Sequence, residues 1–254
     1  MPQVSIVIIA KNEEKQIREC LDSARWADEI VVLDDCSADT TKEIAREYGC
    51  NVFERKMDIE GRQRNYAYSK AAGEWVLSLD CDERITPALA EEIRSRLETN
   101  KEYNAFSIPV KAFMGRHWIQ YAGYYPARKL RLFKKGTFRY EETKVHPKAL
   151  LEGKCGQLNN DILHYSYENF TDVVRKLNRE TSLEAEKWIT DGRKVKGMKI
   201  VRKFFDRFIK FYFIKKGYKD GVIGAMFSFF HSLYQILAYA KYWEMKQKND
   251  RTAN

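Results

Sequence analysis

EWVLSLDCDE, residues 74–83, is an apolar run that closes on two carboxylates, Asp80 and Asp82, with Cys81 between them. An apolar run of this kind reads as a buried strand. Burying unpaired carboxylates is expensive. The strand must therefore end where a turn, a basic partner or a metal ion compensates them. The same pattern recurs upstream. VSIVIIA (4–10) runs into AKNEE, and EIVVLD (29–34) runs into DCSAD. Between these strands lie helical patterns. Residues 13–25 place Ile17, Leu21 and Ala24 at helical spacing. Residues 38–49 start with Asp39 as cap candidate and stop at Gly49. Residues 60–73 form a loop entering a helix that ends at Gly73. Pro87 opens a helix over 87–100. NVFER (51–55) is strand-like. Strand–helix repetition implies an α/β fold with a parallel sheet and right-handed crossovers. Ligands then bind beyond the carboxyl ends of the strands, so the three polar clusters face one crevice.

From 103 to 167 the texture changes to short β-rich segments, and from 169 onward it is helical. The expected organisation is a domain over 1–167, with a first half (1–100) and a second half (101–167), followed by a helical region over 168–254.

The chain has 254 residues, 44% of them hydrophobic, and a formal net charge of +9. A sizeable core is possible, the composition disfavours wholesale disorder, and the charge favours an anionic partner. The five cysteines form no CxxC pair, which disfavours a zinc site or a disulfide framework and favours a reducing cytosolic compartment. The first residues, MPQVSIVIIAKNEE, lack the pattern of a signal peptide. There is no G-x-G-x-x-G and no G-x-x-x-x-G-K-[ST], which disfavours a dinucleotide fold and excludes a P-loop.

Alternation along a strand puts Asp80 and Asp82 on one side. A hard Mg²⁺ or Mn²⁺ suits such a pair, with waters and diphosphate oxygens completing its octahedron. Asp34 or Asp35 can accept from a base N–H or a ribose hydroxyl, while Asp39 caps the next helix. Asn12 and Glu14 either hydrogen-bond a nucleoside edge or cap the helix that follows them.

Four motifs in order, SIVIIAKNEE, VVLDDCSADTT, GRQRN (61–65) and LDCDE, resemble the family 2 glycosyltransferases, inverting enzymes with the GT-A fold, a Rossmann-like mixed sheet flanked by helices. The resemblance implies that Ala10, Asn12, Glu14 and Asp35 line a nucleoside pocket. It implies further that Arg64 lies near the diphosphate of a UDP-sugar, and that Asp80 and Asp82 hold sugar and metal. The remainder, including RLFKKGTFRYEETKVHPKAL, is similar to the WaaE/KdtX-type transferases of the lipopolysaccharide inner core. These typically move glucose from UDP-glucose to a core heptose, which implies a lipid-linked saccharide acceptor.

Inverting transfer requires one general base on the acceptor side and no protein nucleophile. Glu142, Glu141 and His146 are the candidates, in the order Glu142, Glu141. Where many relatives carry an acidic residue after the Val-His pair, this chain has Pro147. Arg131 pairs either with the diphosphate or with a surface carboxylate, and His164 reads as a satisfied core histidine. MKIVRKFFDRFIKFYFIKKGYK (198–219) spaces Val201, Phe204, Phe205, Phe208 and Phe211 as an amphipathic helix with lysines and arginines on other faces. This favours an enzyme peripheral at the cytoplasmic side of an anionic inner membrane. Residues 222–240 are nearly long enough to span a bilayer, but His231 and Gln235 point to an interfacial helix or to contact with a second copy in a homo-oligomer. Two rivals stand beside this reading. A nucleotidyltransferase would need a Gly-rich basic loop after the first strand, where AKNEE stands. A nucleic-acid-binding protein draws support from the charge, but no helix-turn-helix, zinc or RNP pattern accompanies it, and no nucleic-acid partner is expected.

Overall fold

The protein is described by a computed structural model over residues 2–143, 148–193 and 197–252. The chain forms two compact units, one of residues 1–111 and 127–165, the other of residues 112–126 and 166–254.

The first unit opens with β1 (Val4–Ala10), α1 (Ile17–Ala24), β2 (Glu29–Asp34), α2 (Thr41–Glu47), β3 (Asn51–Glu54), α3 (Glu60–Ser69) and β4 (Trp75–Asp80). It continues through β5 (Glu83–Ile85), α4 (Pro87–Thr99) and β6 (Tyr103–Met114). After β7 (His117–Ile119), which pairs with the end of β6 in the second unit, come β8 (Ala127–Lys134), β9 (Phe138–Tyr140), β10 (Ala149–Leu151), β11 (Lys154–Gln157) and β12 (Ile162–Tyr167). The main sheet has the order β3-β2-β1-β4-β8-β6-β12-β5, with β11 also on β6, while β9 and β10 form a separate antiparallel ribbon.

Strands β3, β2, β1 and β4 are parallel, and β8 joins β4 antiparallel. The parallel part is covered on both faces, which is why β1 reads as an unbroken apolar run. Ile6 and Ile8 pack with Leu21 of α1 and Ile93 of α4, whereas Val7 packs with Ala67 and Tyr68 of α3. Register brings Ala10 beside Asp34 and Ile9 beside Asp80, so the polar ends of β1, β2 and β4 share one edge of the sheet.

Helix boundaries differ from the sequence pattern for local reasons. α1 begins only at Ile17, because the amides of Glu13 and Glu14 are committed to Thr41 Oγ1 (2.8 Å) and Asp39 Oδ2 (3.2 Å). α2 begins at Thr41 with Thr40, not the expected Asp39, at its N-cap; Asp39 stands one residue earlier and accepts from the Thr41 amide at 3.1 Å. α3 stops at Ser69, short of Gly73. That glycine serves a close approach instead, since a Cβ there would lie 2.7 Å from Ser5 Oγ. α4 follows its signals: Pro87 sits in its first turn, and Thr86 Oγ1 accepts from the Leu89 amide at 3.2 Å.

The second unit contains α5 (Phe170–Thr190), α6 (Gly197–Ile209), a π-helical turn (Lys210–Ile214), a 3₁₀ turn (Gly217–Asp220) and α7 (Gly221–Thr252). Asn169 Oδ1 caps α5 by accepting from the Asp172 amide at 3.1 Å. One core joins Ala185, Trp188, Ile200, Ala238 and Tyr242, and a second joins Ile119, Val173 and Phe227. The 3₁₀ turn lies so close to α7 that a Cβ on Gly224 would meet the Gly217 carbonyl oxygen at 1.9 Å, so only glycine fits there. Gly217–Lys248 is long and apolar enough to cross a bilayer, but 33% of its most apolar stretch is buried within the protein.

Candidate active site

The strand-end carboxylates find different partners. Arg131 of β8 donates from Nη2 to Asp80 Oδ2 at 2.6 Å and to Glu83 Oε1 at 2.5 Å. Arg64 of α3 approaches Asp80 Oδ1 from both terminal nitrogens at 3.4 Å. Both oxygens of Asp80 are thus engaged by guanidiniums. Burial opposes ionisation of Asp80, but Arg131 and then Arg64 overcome it and hold the carboxyl far below the usual carboxylate range. The same carboxylates raise Arg131 well above its ordinary value against burial. Arg131 is only 4% exposed, which corrects the alternative of a surface ion pair: it is an internal counter-ion shared by two carboxylates. Its Nε has no hydrogen-bond partner among the described residues.

Asp82 faces elsewhere. Its Oδ2 lies 3.0 Å from Nε2 of His164 on β12, so His164 belongs to this corner and not to a hydrophobic core. A carboxylate oxygen and an imidazole nitrogen are ligand types for a divalent ion. Among the described residues no cluster of three or more His, Cys, Asp or Glu could hold a metal ion. The pair fits an ion of the Mg²⁺ or Mn²⁺ kind that takes one or two protein ligands and fills the rest of its shell from phosphates and water. Of the two carboxylates expected to serve a metal, Asp82 has this environment and Asp80 has the arginines.

Beside Asp80 opens a crevice of about 470 Å³ lined by Glu60, Arg64, Lys129, Arg131 and Tyr140 among others. Three cations in one cleft make a landing place for a diphosphate. Lys129 is held below its ordinary range by burial and then by Arg131. Neither Lys129 nor Glu83 was singled out from sequence. For Glu83 the signal was present, since an acidic residue directly after LDCD must go somewhere. It is fully buried, accepting from the Asp80 amide at 3.0 Å as well as from Arg131.

At the ends of β1 and β2 the expected nucleoside residues lie together, each with a partner in the protein. The Ala10 carbonyl accepts from the Asp35 amide at 2.8 Å. Asp35 accepts from Lys11 Nζ at 2.9 Å and from the Met57 amide at 2.7 Å. Asp34 Oδ2 accepts from the Ser37 amide at 2.7 Å, while its buried Oδ1 has no partner among the described residues. Asn12 sits at φ +54° and accepts from the Ala38 amide at 2.8 Å. Glu14 accepts from Thr40 Oγ1 at 2.9 Å. Asn12 and Glu14 therefore fasten the loop after β2, a role different from capping their own helix. Glu13 between them is pushed up to about 7 by burial, then by Asp82.

Of the base candidates, Glu142 Oε2 accepts from Arg62 Nε at 2.9 Å, and Arg62 also pairs with Asp58. Glu141 bonds through its backbone and carboxylate to Lys148. His146 lies outside the described residues.

Residues 5–152 match the profile described as glycosyl transferase family 2. The chain belongs to this family. Over 254 residues it is 26% identical to the lipopolysaccharide core biosynthesis glycosyltransferase LpsC of Rhizobium meliloti, covering 95% of this chain and 92% of that one. It is also 26% identical over 266 residues to an uncharacterised glycosyltransferase of Rickettsia typhi, covering 98% and 89%. Its fold is that of the Staphylococcus aureus TarS structure crystallised with UDP-GlcNAc (TM-score 0.52, 18% identity, 93% and 81% covered). This family 2 member thus has the GT-A architecture: a mixed sheet flanked by helices, followed by a helical C-terminal region.

Proposed function

We propose that this family 2 enzyme transfers a sugar, in the first instance glucose, from a UDP-sugar to a lipid-linked saccharide with inversion at the anomeric carbon. The observation that carries the reading is the crevice beside Asp80, where Arg64, Lys129 and Arg131 gather; the carboxylate–imidazole pair of Asp82 and His164 begins two residues further along the chain. Arg64 and Lys129 hold the diphosphate. Arg131 keeps Asp80 ionised and fixed. The walls at Ala10, Asn12 and Asp35 take the nucleoside. Asp82 and His164 hold Mg²⁺ or Mn²⁺, which supplies positive charge against the departing diphosphate. Glu142, steered by Arg62, or its neighbour Glu141 removes the proton from the acceptor hydroxyl.

Support for a lipid-linked acceptor comes from the second unit. α6 is apolar on two sides. Ile200 is buried and Phe204 packs on Phe229 at 5.9 Å, while Val201, Phe205 and Ile209 are 48%, 58% and 49% exposed. With Lys199, Arg202, Lys203 and Lys210 on the same helix and turn, that outer stripe suits the surface of an anionic membrane, where each nearby cation contributes about 1 kcal/mol.

The test is nucleotide release from a panel of UDP-, GDP- and ADP-sugars with Mn²⁺, followed by transfer to a lipopolysaccharide core acceptor. UDP release from one sugar, stopped by chelation, is expected. Equal inactivity toward all UDP-sugars would overturn the reading.

A further inference from the structure

Within the second unit, α5, α6 and α7 and the segments at Tyr124 and Tyr167 enclose a cavity of about 260 Å³. Its wall is aromatic, with Tyr124, Tyr167, Phe227, Phe230 and Tyr234. Tyr124 meets Phe227 edge-on at 5.2 Å, and Tyr167 lies tilted on Phe227 at 5.6 Å, so these rings hold one another in place.

Two cations also line it, and neither has a carboxylate partner among the described residues. Arg207 of α6 is anchored by Nε to the His231 carbonyl at 3.1 Å, and its terminal nitrogens meet no protein acceptor among the described residues. Lys176 of α5 lies 5.2 Å from the centre of the Tyr167 ring. The carboxylate in the wall, Glu180, is turned to Arg179 at 3.0 Å. Burial lowers Arg207 below its ordinary range, as for a cation with no anion beside it. A half-buried guanidinium without an anionic partner is a cost to the fold that an anion would relieve.

We propose that this cavity binds a phosphate-bearing sugar residue, the ring seated against the aromatic wall and the phosphate between Arg207 and Lys176. The size and the two kinds of lining argue for that class. The space equals roughly eight or nine waters, enough for about one hexose phosphate. Aromatic faces receive the C–H faces of a sugar ring. Two cations, one from α5 and one from α6, match the charge of about −2 on a phosphate monoester, and Arg offers it two parallel N–H donors. A bare acyl chain fits poorly, because it would remove more water from both cations and return nothing. The inference stands independently of the catalytic reading, since the cavity lies wholly in the second unit.

The phosphate could come from a soluble sugar phosphate or from a phosphorylated glycolipid, and the test separates them. Full-length protein is titrated with glucose 6-phosphate, with glucose, and with monophosphoryl lipid A in detergent micelles. Glucose 6-phosphate is expected to bind at least about tenfold more tightly than glucose. Arg207→Gln should weaken it about tenfold and Lys176→Gln about threefold, while Arg64→Gln, in the first unit, leaves it unchanged. Lys176→Gln serves if Arg207→Gln does not fold. Binding of the glycolipid alone, lost in the same variants, assigns the site to a lipid-borne phosphate. Absence of both, binding unaltered in the cavity variants, or binding lost only in Arg64→Gln would overturn the proposal. UDP-sugar turnover, measured separately, reports on the catalytic reading alone.

Discussion

The two units treat charge and apolar surface in opposite ways. In the first, carboxylates are answered within the fold: Asp80 and Glu83 share Arg131, Asp82 meets His164, and Asp35 holds Lys11. In the second, the three-residue outer stripe of α6 is exposed, and Arg207 and Lys176 line a cavity without an ion-pair partner among the described residues. A buried charge network fixes geometry, and breaking it by removing one member is strongly unfavourable. An exposed apolar stripe adds little to stability and marks a surface that something else covers. The first pattern suits chemistry and the second suits binding.

The largest effect expected from this contrast is on turnover. Asp82→Asn leaves the imidazole without its carboxylate partner and should reduce UDP-sugar turnover about 10³-fold or more, with the melting temperature nearly unchanged. Full activity in that variant would break the assignment of Asp82. Next comes stability. Arg131→Met strands Asp80 and Glu83 and should lower unfolding free energy by about 3–5 kcal/mol, read from urea denaturation. Adding Glu83→Gln should restore part of it, because the second change removes one of the stranded charges.

Acid sharpens the comparison further. His231 in the second unit is held down to about 4, by burial and then by Arg207, against about 6.5 in an unfolded chain. Between these values the unfolded chain binds the extra proton. Stability is therefore complete above pH about 6.5 and is lost as pH falls toward about 4, by up to roughly 3 kcal/mol. Asp80 has its folded value depressed far below an unfolded carboxylate, so its contribution is complete above pH about 4 and disappears only in stronger acid. Melting curves from pH 7 to pH 4 should thus flatten in His231→Gln. An unflattened curve would show that burial of the ring is not what limits this unit.

The smallest effect on folding and the sharpest on location come from the outer stripe. Phe205→Ser should change stability by no more than about 0.5 kcal/mol, since the ring is 58% exposed. It should nevertheless weaken sedimentation with anionic liposomes at low salt. Equal sedimentation of wild type and variant would direct attention to the lysines alone, and no sedimentation of either would remove the membrane from the proposal.

Much of the first unit was legible because local pattern and tertiary role coincide there. VSIVIIA is a continuous apolar run because helices cover both faces of β1, and Pro87 with Thr86 fixes the start of α4. The strand ends were legible as carboxylate clusters, and their alignment followed from parallel pairing. Their partners were not. His164 and Asp82 are 82 positions apart, and Arg131 and Asp80 are 51 apart; no spacing rule spans such distances. The grouping of residues 112–126 with the helical unit likewise has no local signature, because it depends on where β7 and the Asp220 carboxylate meet the chain, as at the Tyr121 amide (2.7 Å).

The sequence by itself determined the parallel strand–helix order, the family motifs and the amphipathic basic helix, since each is written in residues a few positions apart. Only the tertiary structure decided which cation answers which carboxylate, which side of α6 faces outward, and that a cavity with two carboxylate-free cations lies among the C-terminal helices. The physical reason is that electrostatic pairing and burial depend on distance through space, whereas periodicity depends on distance along the chain.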